Sequence, residues 1–322
     1  MSVVKIVELL ADGQFHSGDE LGDALGVSRA AVWKQIQKLE DKGLDIFSVK
    51  GKGYKLNTPV ELLSSDRIKA SMSEKALPLL SNIDVQSVVS STNDVAMRMA
   101  ADGVDSGYVC LAEQQTAGRG RRGRNWVSPF GSNIYMSVVW NFYGGAAALE
   151  GLSLATGIAV AATLRNLGCE QVRLKWPNDL LIGADKLGGI LLEMTGDPSG
   201  HCQVVLGLGI NTLIRQGEGD GIDQAYTQLS DHGVDLPRND LAASVIGAVL
   251  VMLDEFSRSG FDSYHPHWAY FDAYRDKRVY VQAGSQQTRG IARGVDKTGG
   301  LLLETASGVE VFKGGELSLR GL

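Results

Sequence analysis

The sequence predicts a multi-domain α+β protein, and three observations carry that reading. Capped amphipathic helices and a basic hairpin fill the first 56 residues. Strands and helices alternate from Ser91 to Ser257, and residues 273–322 hold only short strands broken by glycine-rich turns. A chain of 322 residues has room for several domains and a substantial core. Its formal net charge of −6 argues against a protein that binds nucleic acid over its whole surface, while a local basic patch stays open to that role. Cys110, Cys169 and Cys202 are odd in number, widely spaced and without a Cys-x-x-Cys pair. That fits buried thiols in a reducing compartment better than disulfides or a zinc site. Charges interrupt the apolar N-terminal run, which is therefore no signal peptide, and no uncharged apolar stretch approaches the roughly 18 residues of a membrane span. A cytoplasmic protein with no membrane partner is expected.

Val3, Val4, Ile6, Val7, Leu9 and Leu10 give a short amphipathic helix that ends at Asp12-Gly13. Ser17-Gly-Asp-Glu20 is a capping box opening a helix through Leu21, Ala24 and Leu25 that stops at Gly26. Ser28 caps the next helix, expected from Arg29 to Lys42 and closed by Gly43, with Val32, Ile36 and Leu39 as its buried stripe. Two helices joined by a tight glycine turn make a helix-turn-helix whose second helix reads a groove. Leu44–Val49 and Tyr54–Leu56 then bracket Lys50-Gly-Lys-Gly53 as a wing. From Ser28 to Leu56 seven basic residues stand against three acidic ones, in a chain that is acidic overall. The candidate DNA contacts are Ser28, Arg29, Trp33, Lys34 and Gln37 on the reading helix and Lys50 and Lys52 on the wing. Arg29, Trp33 and Gln37 share a face suited to base edges, and the wing lysines suit phosphate. The competing readings are a winged helix used for protein contacts and a solvated basic face. Asn57-Thr-Pro-Val-Glu-Leu-Leu-Ser-Ser65 reads as a linker, so a first domain is expected over residues 1–64.

Thr116–Trp126 packs Arg119, Arg121, Arg122 and Arg124 among Gly118, Gly120 and Gly123. It contains Gly-x-Gly-x-x-Gly, but a dinucleotide-binding turn needs a helix opening at its third glycine, so that free amides face a pyrophosphate. Here Asn-Trp-Val-Ser-Pro-Phe-Gly follows, with Pro129 and Gly131 against any helix, and no Gly-Lys-Ser/Thr makes it a Walker loop. Two readings remain. One is a loop whose bare backbone can approach a ligand and whose guanidinium forks suit carboxylate or phosphate. The other is a solvated basic loop.

Ser91-Thr-Asn-Asp94 heads a helix to Ala101, and its amides and side chains can serve a ligand or simply cap the helix. Tyr108–Glu113 is an apolar strand delivering Gln114, Gln115 and the arginine loop. Asn133–Trp140 is the next strand, and Ala146–Asn166 a long helix after the turn at Gly144-Gly145. Gln171–Leu174 runs into Lys175-Trp-Pro-Asn-Asp-Leu180, where Pro177 ends the strand and displays Asn178 and Asp179 at a turn. Lys, Asn and Asp at that spacing suit phosphate oxygens and a divalent cation. Leu180–Ile182 turns back through Gly183 as Lys186–Glu193. Gly188 and Gly189 there, with Gly207 and Gly209 in Val204–Asn211, are expected to clear side chains where a ligand approaches. Leu241–Ser257 and Phe261–Tyr274 read as helices, with His265 and His267 assigned to packing rather than metal. Val279–Gln282, Gly290–Val295, Leu301–Glu304 and Val309–Phe312 read as a small β-barrel.

The Gly118–Arg124 loop, Lys175-Trp-Pro-Asn-Asp-Leu180, Lys186-Leu-Gly-Gly-Ile-Leu-Leu-Glu193 and Gly207-Leu-Gly-Ile-Asn211, in this order and spacing, resemble the biotin protein ligases. With the winged helix in front, the chain is similar over essentially its whole length to their bifunctional form, ligase and biotin-operon repressor. The resemblance implies a mixed-sheet ligase domain over residues 65–272, like that of the class II aminoacyl-tRNA synthetases. It also implies an SH3-like barrel over residues 273–322, closed by Gly314-Gly-Glu316-Leu-Ser-Leu-Arg320. The implied activity joins biotin to ATP as biotinyl-5′-AMP, with Mg²⁺, and transfers biotin to a lysine of a biotin carboxyl carrier protein domain. A homodimer loaded with biotinyl-5′-AMP as corepressor would bind operator DNA of biotin biosynthesis genes.

By the same resemblance Ser91, Thr92, Asn93 and Gln115 contact the ureido ring, and Gly118, Arg119, Gly120 and Arg121 close over carboxylate and phosphate. Lys186 holds the carboxylate or an α-phosphate oxygen. Trp126, Lys175, Asn178 and Asp179 belong to the nucleotide side, with Asp179 also on Mg²⁺, and Asn211 and Tyr226 lie at the adenylate. Arg121, Lys186 and Asp179 are the catalytic set, because attack of one anion on another needs fixed positive charge and preorganised donors. Asp179 is further expected to accept a proton from the incoming lysine. One departure stands out. The segment Arg215-Gln-Gly-Glu-Gly-Asp-Gly221 is glycine-rich, and Tyr226 falls where the family form carries a tryptophan on the adenine. Tyrosine can stack there, but the glycines raise the cost of ordering the loop, so a weaker ligand-driven link to DNA is expected. A regulator without catalysis would tolerate damage at Lys186 or Lys175–Asp179, and both are intact. A ligase with a vestigial winged helix is a further alternative, and a lipoate ligase shares the architecture but fits the arginine–glycine loop less well.

Overall fold

A computed structural model describes residues 3–41, 44–57, 60–197, 200–215, 217–314 and 317–321. The front of the chain is α1 (Val3–Leu10), α2 (Gly18–Leu25) and α3 (Arg29–Glu40), then an antiparallel hairpin of β1 (Ile46–Val49) and β2 (Gly53–Leu56). The capping box forms in full. The Glu20 amide donates to Ser17 Oγ at 3.1 Å and the Ser17 amide donates to Glu20 Oε2 at 2.8 Å. The expected stop of the third helix at Lys42-Gly43 lies outside the described residues. Ile6, Leu10, Leu21, Val32, Ile36 and Leu39 are buried together, and the same cluster takes in Phe130 from the middle of the chain.

The segment expected to be a linker is anchored. Glu61 accepts the backbone amide of Arg238, pairs with Arg67 at 2.7 Å and accepts from Asn239 Nδ2 at 2.8 Å. The Leu63 amide donates to Glu113 Oε1 at 2.6 Å, and Glu113 pairs with Arg238 Nη1 at 2.6 Å inside the protein. Thr58 and Pro59 lie outside the described residues.

After α4 (Ser65–Ser71) the large sheet begins with β3 (Asn82–Val89), then α5 (Thr92–Ala101), β4 (Tyr108–Gln115), β5 (Ile134–Tyr143), α6 (Leu152–Asn166) and β6 (Val172–Lys175). It continues through β7 (Asp179–Ile182), β8 (Asp185–Gly196), β9 (His201–Ile210), α7 (Arg238–Ser259) and α8 (His265–Phe271). The strand order is β3-β4-β5-β9-β8-β7-β6, parallel at β3–β4 and antiparallel elsewhere, so the sheet is mixed. α6 and α7 bury one face in a large apolar core, and α5 covers the other through Val95, Ala96 and Ala100.

Two helices differ from expectation. The one read as Ala146–Asn166 breaks at Gly151, whose φ of 80° a side chain would strain and whose added Cβ would meet the Phe261 ring at 2.4 Å. The one read as Phe261–Tyr274 is split into a 3-10 turn (Gly260–Ser263) and α8, ended at Asp272, whose carboxylate takes Trp268 Nε1 and the Tyr274 amide. The stretch Gly145–Asn166 is apolar enough to cross a membrane by composition, yet in this fold α6 is a helix of the core.

The end of the chain is an antiparallel sheet of β10 (Arg278–Ala283), β11 (Gln286–Val295), β12 (Leu301–Thr305), β13 (Gly308–Phe312) and β14 (Leu317–Gly321). Its order is β13-β12-β11-β10-β14, and among the described residues no ladder joins β13 to β14 to close the expected barrel. Gly315 and Glu316 of the closing segment lie outside the described residues. His265 packs as expected, with Nε2 against the Val295 carbonyl at 3.0 Å. All three cysteines are free and buried, and burial pushes the Cys110 thiol up to about 12, which leaves it inert as a nucleophile.

Candidate active site

The site lies on the α5 side of the sheet, and strand register decides what reaches it. Side chains alternate faces along a strand, so paired residues form rows. One row is Tyr135–Gly209–Gly189, the next Ser137–Gly207–Leu191, the next Val139–Val205–Glu193. Glycine at three of these positions leaves a bare strip, but the protein's own side chains fill it. A Cβ on Gly209 would lie 2.5 Å from the Trp126 ring, and one on Gly207 would lie 2.2 Å from Asn93 Oδ1. The expectation for the glycines holds in part, since Gly189, Gly207 and Gly209 line the cavity while also seating side chains of the protein, and Gly188 does not reach it. Gly189 and Gly209 seat Trp126, Gly207 seats Asn93, and Gly188 packs against the Gly209 carbonyl and the Leu180 side chain.

Ser91, Thr92, Asn93, Gln115, Arg119, Gly120, Arg121, Trp126, Asn178 and Lys186 line one cavity. The polar side chains of α5 and its neighbouring strands satisfy one another, while the Trp126 indole nitrogen is buried without a partner. Thr92 N and Oγ1 both donate to Gln115 Oε1, at 2.9 and 3.2 Å, and Gln115 Nε2 donates to Ser128 Oγ at 2.9 Å. Ser137 Oγ lies 2.8 Å from Thr92 Oγ1 and 2.5 Å from Asn93 Oδ1. Ser91 caps α5 through the Asn93 amide. Gly118 is buried beneath the loop, where a Cβ would strike the Trp126 carbonyl at 2.5 Å.

A second cavity, on the far side of Lys186, is lined by Arg121, Lys175, Asn178, Asp179 and Trp126, with Arg320 entering from β14. Asp179 is held between two ammonium groups, Lys186 Nζ at 2.8 Å and Lys175 Nζ at 3.1 Å. Burial by itself raises its pKa, but Lys186 and Lys175 outweigh burial and hold the carboxyl below the usual carboxylate range. Arg121 Nη1 donates to Asn178 Oδ1 at 2.9 Å and Nη2 to the Leu317 carbonyl at 3.3 Å. Burial lowers the Arg121 pKa and Asp179 opposes the shift, so the guanidinium stays charged. A third cavity of about 380 Å³ is lined by Trp126, Lys186, Asn211, Gln224, Tyr226 and again Arg320. Trp126 and Lys186 therefore border all three spaces, with Lys186 Nζ 5.4 Å from the indole centroid. Asn211 fastens the following loop, its Nδ2 donating to the Lys186 and Thr227 carbonyls at 3.3 and 3.1 Å.

The glycine-rich loop after Asn211 is held by its own ion pair. Arg215 Nη1 lies 3.1 Å from Glu218 Oε1, with side chains only 10% and 4% exposed, and also donates to Ser132 Oγ and the Phe130 carbonyl. Gln216 lies outside the described residues. Gly219 makes room for the Tyr226 hydroxyl, which an added Cβ would meet at 2.1 Å.

On α3, Arg29, Trp33, Lys34 and Gln37 are exposed on the side away from the buried stripe, Trp33 at 53%. Ser28 is engaged as the N-cap, its Oγ taking the Ala31 amide at 3.3 Å. Gln37 donates to Glu40 at 2.5 Å, and Lys50 and Lys52 are exposed on the wing, Lys52 with its ammonium 5.9 Å from the Phe15 centroid. Sequence reasoning missed Ser128, Ser137, Glu193, Gln224 and Arg320 as site residues. Period-2 reading of the strand Asn133–Trp140 puts Ser137 on the site face; the placement of Arg320 depends on how the C-terminal sheet docks, and no local signal carries that.

Residues 85–211 match the biotin/lipoate A/B protein ligase family, residues 4–55 a helix-turn-helix domain, and residues 276–320 the biotin protein ligase C-terminal domain. The bifunctional ligase/repressor BirA of Salmonella typhimurium is 45% identical over 98% of this chain and 96% of its own. That of Escherichia coli is 43% identical over 98% and 97%. A biotin protein ligase from Aquifex aeolicus, solved in complex with biotin and ATP, aligns with a TM-score of 0.66 at 28% identity, over 76% of this chain and all of that one. The chain belongs to the bifunctional biotin protein ligases and repressors.

Proposed function

We propose that the three adjoining cavities take biotin, the phosphates and the adenosine in that order, so that the biotin carboxylate and the α-phosphate meet at Trp126 and Lys186. The observation that carries this assignment is that these two side chains border all three spaces. A carboxylate oxygen attacks the α-phosphorus and pyrophosphate leaves; the acceptor lysine amine then attacks the acyl carbon, an amide forms and AMP leaves. Bringing two anions together is the costly part, and Lys186, Lys175 and Arg121 offer fixed cations for it in a poorly solvated site. Ser91, Thr92, Asn93, Gln115, Ser128 and Ser137 offer the donors and acceptors of the ureido ring. Trp126 and Tyr226 offer faces for the nucleotide, with Asn211 holding the loop that presents Tyr226.

Among the described residues no three carboxylate, histidine or cysteine side chains gather as a metal site. Asp179 and Asn178 nonetheless fit a Mg²⁺ carried in on phosphate oxygens, the hard-ligand set that ion prefers. When bound it would neutralise phosphate charge. With two ammonium groups on it, Asp179 is better suited to holding cations than to accepting a proton from the acceptor lysine.

The acceptor would be a lysine on a biotin carboxyl carrier protein domain, approaching through the cleft of about 540 Å³ beside Arg121. The exposed face of α3 and the wing lysines support contact with operator DNA in a cytoplasmic repressor. Beyond Gly189 the outer edge of β8 carries no ladder among the described residues, which supports a homodimer joined edge to edge. The units divide at 64/65, just before α4, and at 272/273, just after α8. Biotin-dependent exchange of pyrophosphate into ATP tests the assignment. Exchange lost in Lys186→Ala but retained in Lys34→Ala is expected; no exchange in the parent protein would end it.

A further inference from the structure

Glu193 stands on the site face of β8 beyond Leu191, and one of its oxygens serves two residues of the biotin pocket. Oε2 accepts from Asn93 Nδ2 at 2.6 Å and from Arg119 Nη2 at 3.0 Å. The same Arg119 nitrogen lies 2.8 Å from Asp94 Oδ1, and Asp94 Oδ2 takes the Ser90 hydroxyl at 2.8 Å. Two carboxylates, one from the first turn of α5 and one from β8, thus grip a single guanidinium of the arginine–glycine loop. Arg121 is tied in another direction, to Asn178 and the Leu317 carbonyl. The two arginines, two residues apart, tie the loop in two directions.

We infer that Glu193, assisted by Asp94, is a positioning residue that latches the loop over the bound acyl-adenylate. It acts through Arg119. It also points the Asn93 amide so that Oδ1 faces the Ser137 hydroxyl, which couples the shape of the ureido pocket to closure of the loop. This inference rests on the ligase assignment above. The grip is charge-assisted, and because Arg119 and Glu193 are 41% and 28% exposed its effect is moderate rather than all-or-none.

Glu193→Gln keeps an oxygen acceptor for Asn93 and removes the charge that holds Arg119. In the ligand-free protein, trypsin cleavage after Arg121, Arg122 or Arg124 should accelerate about fivefold, the loss of roughly one screened charged contact. The lifetime of bound biotinyl-5′-AMP without acceptor should shorten by about the same factor. In an Arg119→Ala background, Glu193→Gln should change neither quantity by more than about twofold, since the shared partner is already gone. Asp94→Asn, made on the opposite arm of the grip, should reproduce the faster cleavage, and it decides the matter where Glu193→Gln does not fold. Parent-like cleavage in a folded Glu193→Gln or Asp94→Asn protein would overturn the inference, and so would an undiminished effect of Glu193→Gln in the Arg119→Ala background. The trypsin measurement needs no substrate. A loop that opens as described in a protein without pyrophosphate exchange would fault the ligase assignment and leave the latch standing.

Discussion

Phe130→Ala should separate the N-terminal unit from the catalytic sheet. Phe130 is 0% exposed and belongs to the core formed by Ile6, Leu10, Val32, Ile36, Leu56 and Val60, while the core beneath the large sheet does not include it. A buried aromatic side chain removes about 150–250 Å² from water, and alanine keeps only part of that, so at about 25 cal/mol per Å² the transfer loss is about 3 kcal/mol. A cavity that relaxes only in part brings the total to about 3–5 kcal/mol. The backbone tethers stay, with the Gly131 amide on the Glu113 carbonyl at 2.9 Å and Arg215 on the Phe130 carbonyl at 3.3 Å. The cost therefore falls on α1–α3 and on their seating. Hydrogen exchange should show α3 amides losing about a hundredfold or more of their protection, at about 1.4 kcal/mol per factor of ten, with β5 and β9 unchanged. Operator-DNA affinity should fall at least about tenfold while pyrophosphate exchange stays within about twofold. Unchanged protection in α3, or equal losses in α3 and β9, would refute the reasoning.

Gly118→Ala puts a Cβ 2.5 Å from the Trp126 carbonyl, 2.7 Å from Ser128 Oγ and 2.9 Å from Gln115 Nε2, so the loop must lift. Free biotinyl-5′-AMP should then escape and label bystander lysines, and an unchanged intermediate lifetime would remove the guarding role of the loop. Asp179→Asn should form the adenylate poorly yet transfer preformed biotinyl-5′-AMP at the parent rate; an equal loss in transfer would restore a proton-accepting role. Because Lys186 and Lys175 outweigh burial and depress the Asp179 pKa, its contribution to stability is complete above the unfolded value of about 3.9 and is lost as pH falls through the lower folded value. Denaturant titrations of parent and Asp179→Asn should thus differ by a constant amount above about pH 5 and converge only under strongly acid conditions.

What was legible in the sequence was whatever short-range chemistry decides. The Ser17–Glu20 capping box and the Ser28 cap need only neighbours within a turn, and both form as read. Two of the four motifs, Gly118–Arg124 after β4 and Lys175–Leu180 between β6 and β7, sit where a strand ends, positions that turn residues mark, and the other two lie along β8 and at the end of β9. Long-range partners left no such mark. Glu61 lies in the stretch that reads as a linker, because its partners Arg238 and Asn239 are 177 and 178 residues away. Phe130, inside Ser-Pro-Phe-Gly, looked like loop, and only the tertiary fold shows that it completes another unit's core. The site-facing glycines were legible as vacancies, but what fills them is set by register and by a loop docking over the sheet.

The glycine-rich segment after Asn211 shows how such a reading changes. Glycines raise the cost of ordering, which by itself predicts a loop that responds weakly to the adenylate. The nearly buried Arg215–Glu218 pair works against that cost, and its hydrogen bonds go to Ser132 and to the Phe130 carbonyl, at the base of the N-terminal unit. Removing one partner of such a pair leaves an uncompensated buried charge, a cost of about 3–5 kcal/mol, against about 1.5–3 kcal/mol in all for Gly217, Gly219 and Gly221 at about 0.5–1 kcal/mol each. The anchored start and the Asn211 clamp leave the stretch between Gly219 and Tyr226 as the part with room to respond, and there Gly219 is what lets the tyrosine hydroxyl sit down. The glycines therefore make space at the adenosine end, while the ion pair holds the other end against the segment that carries Phe130 into the DNA-binding unit.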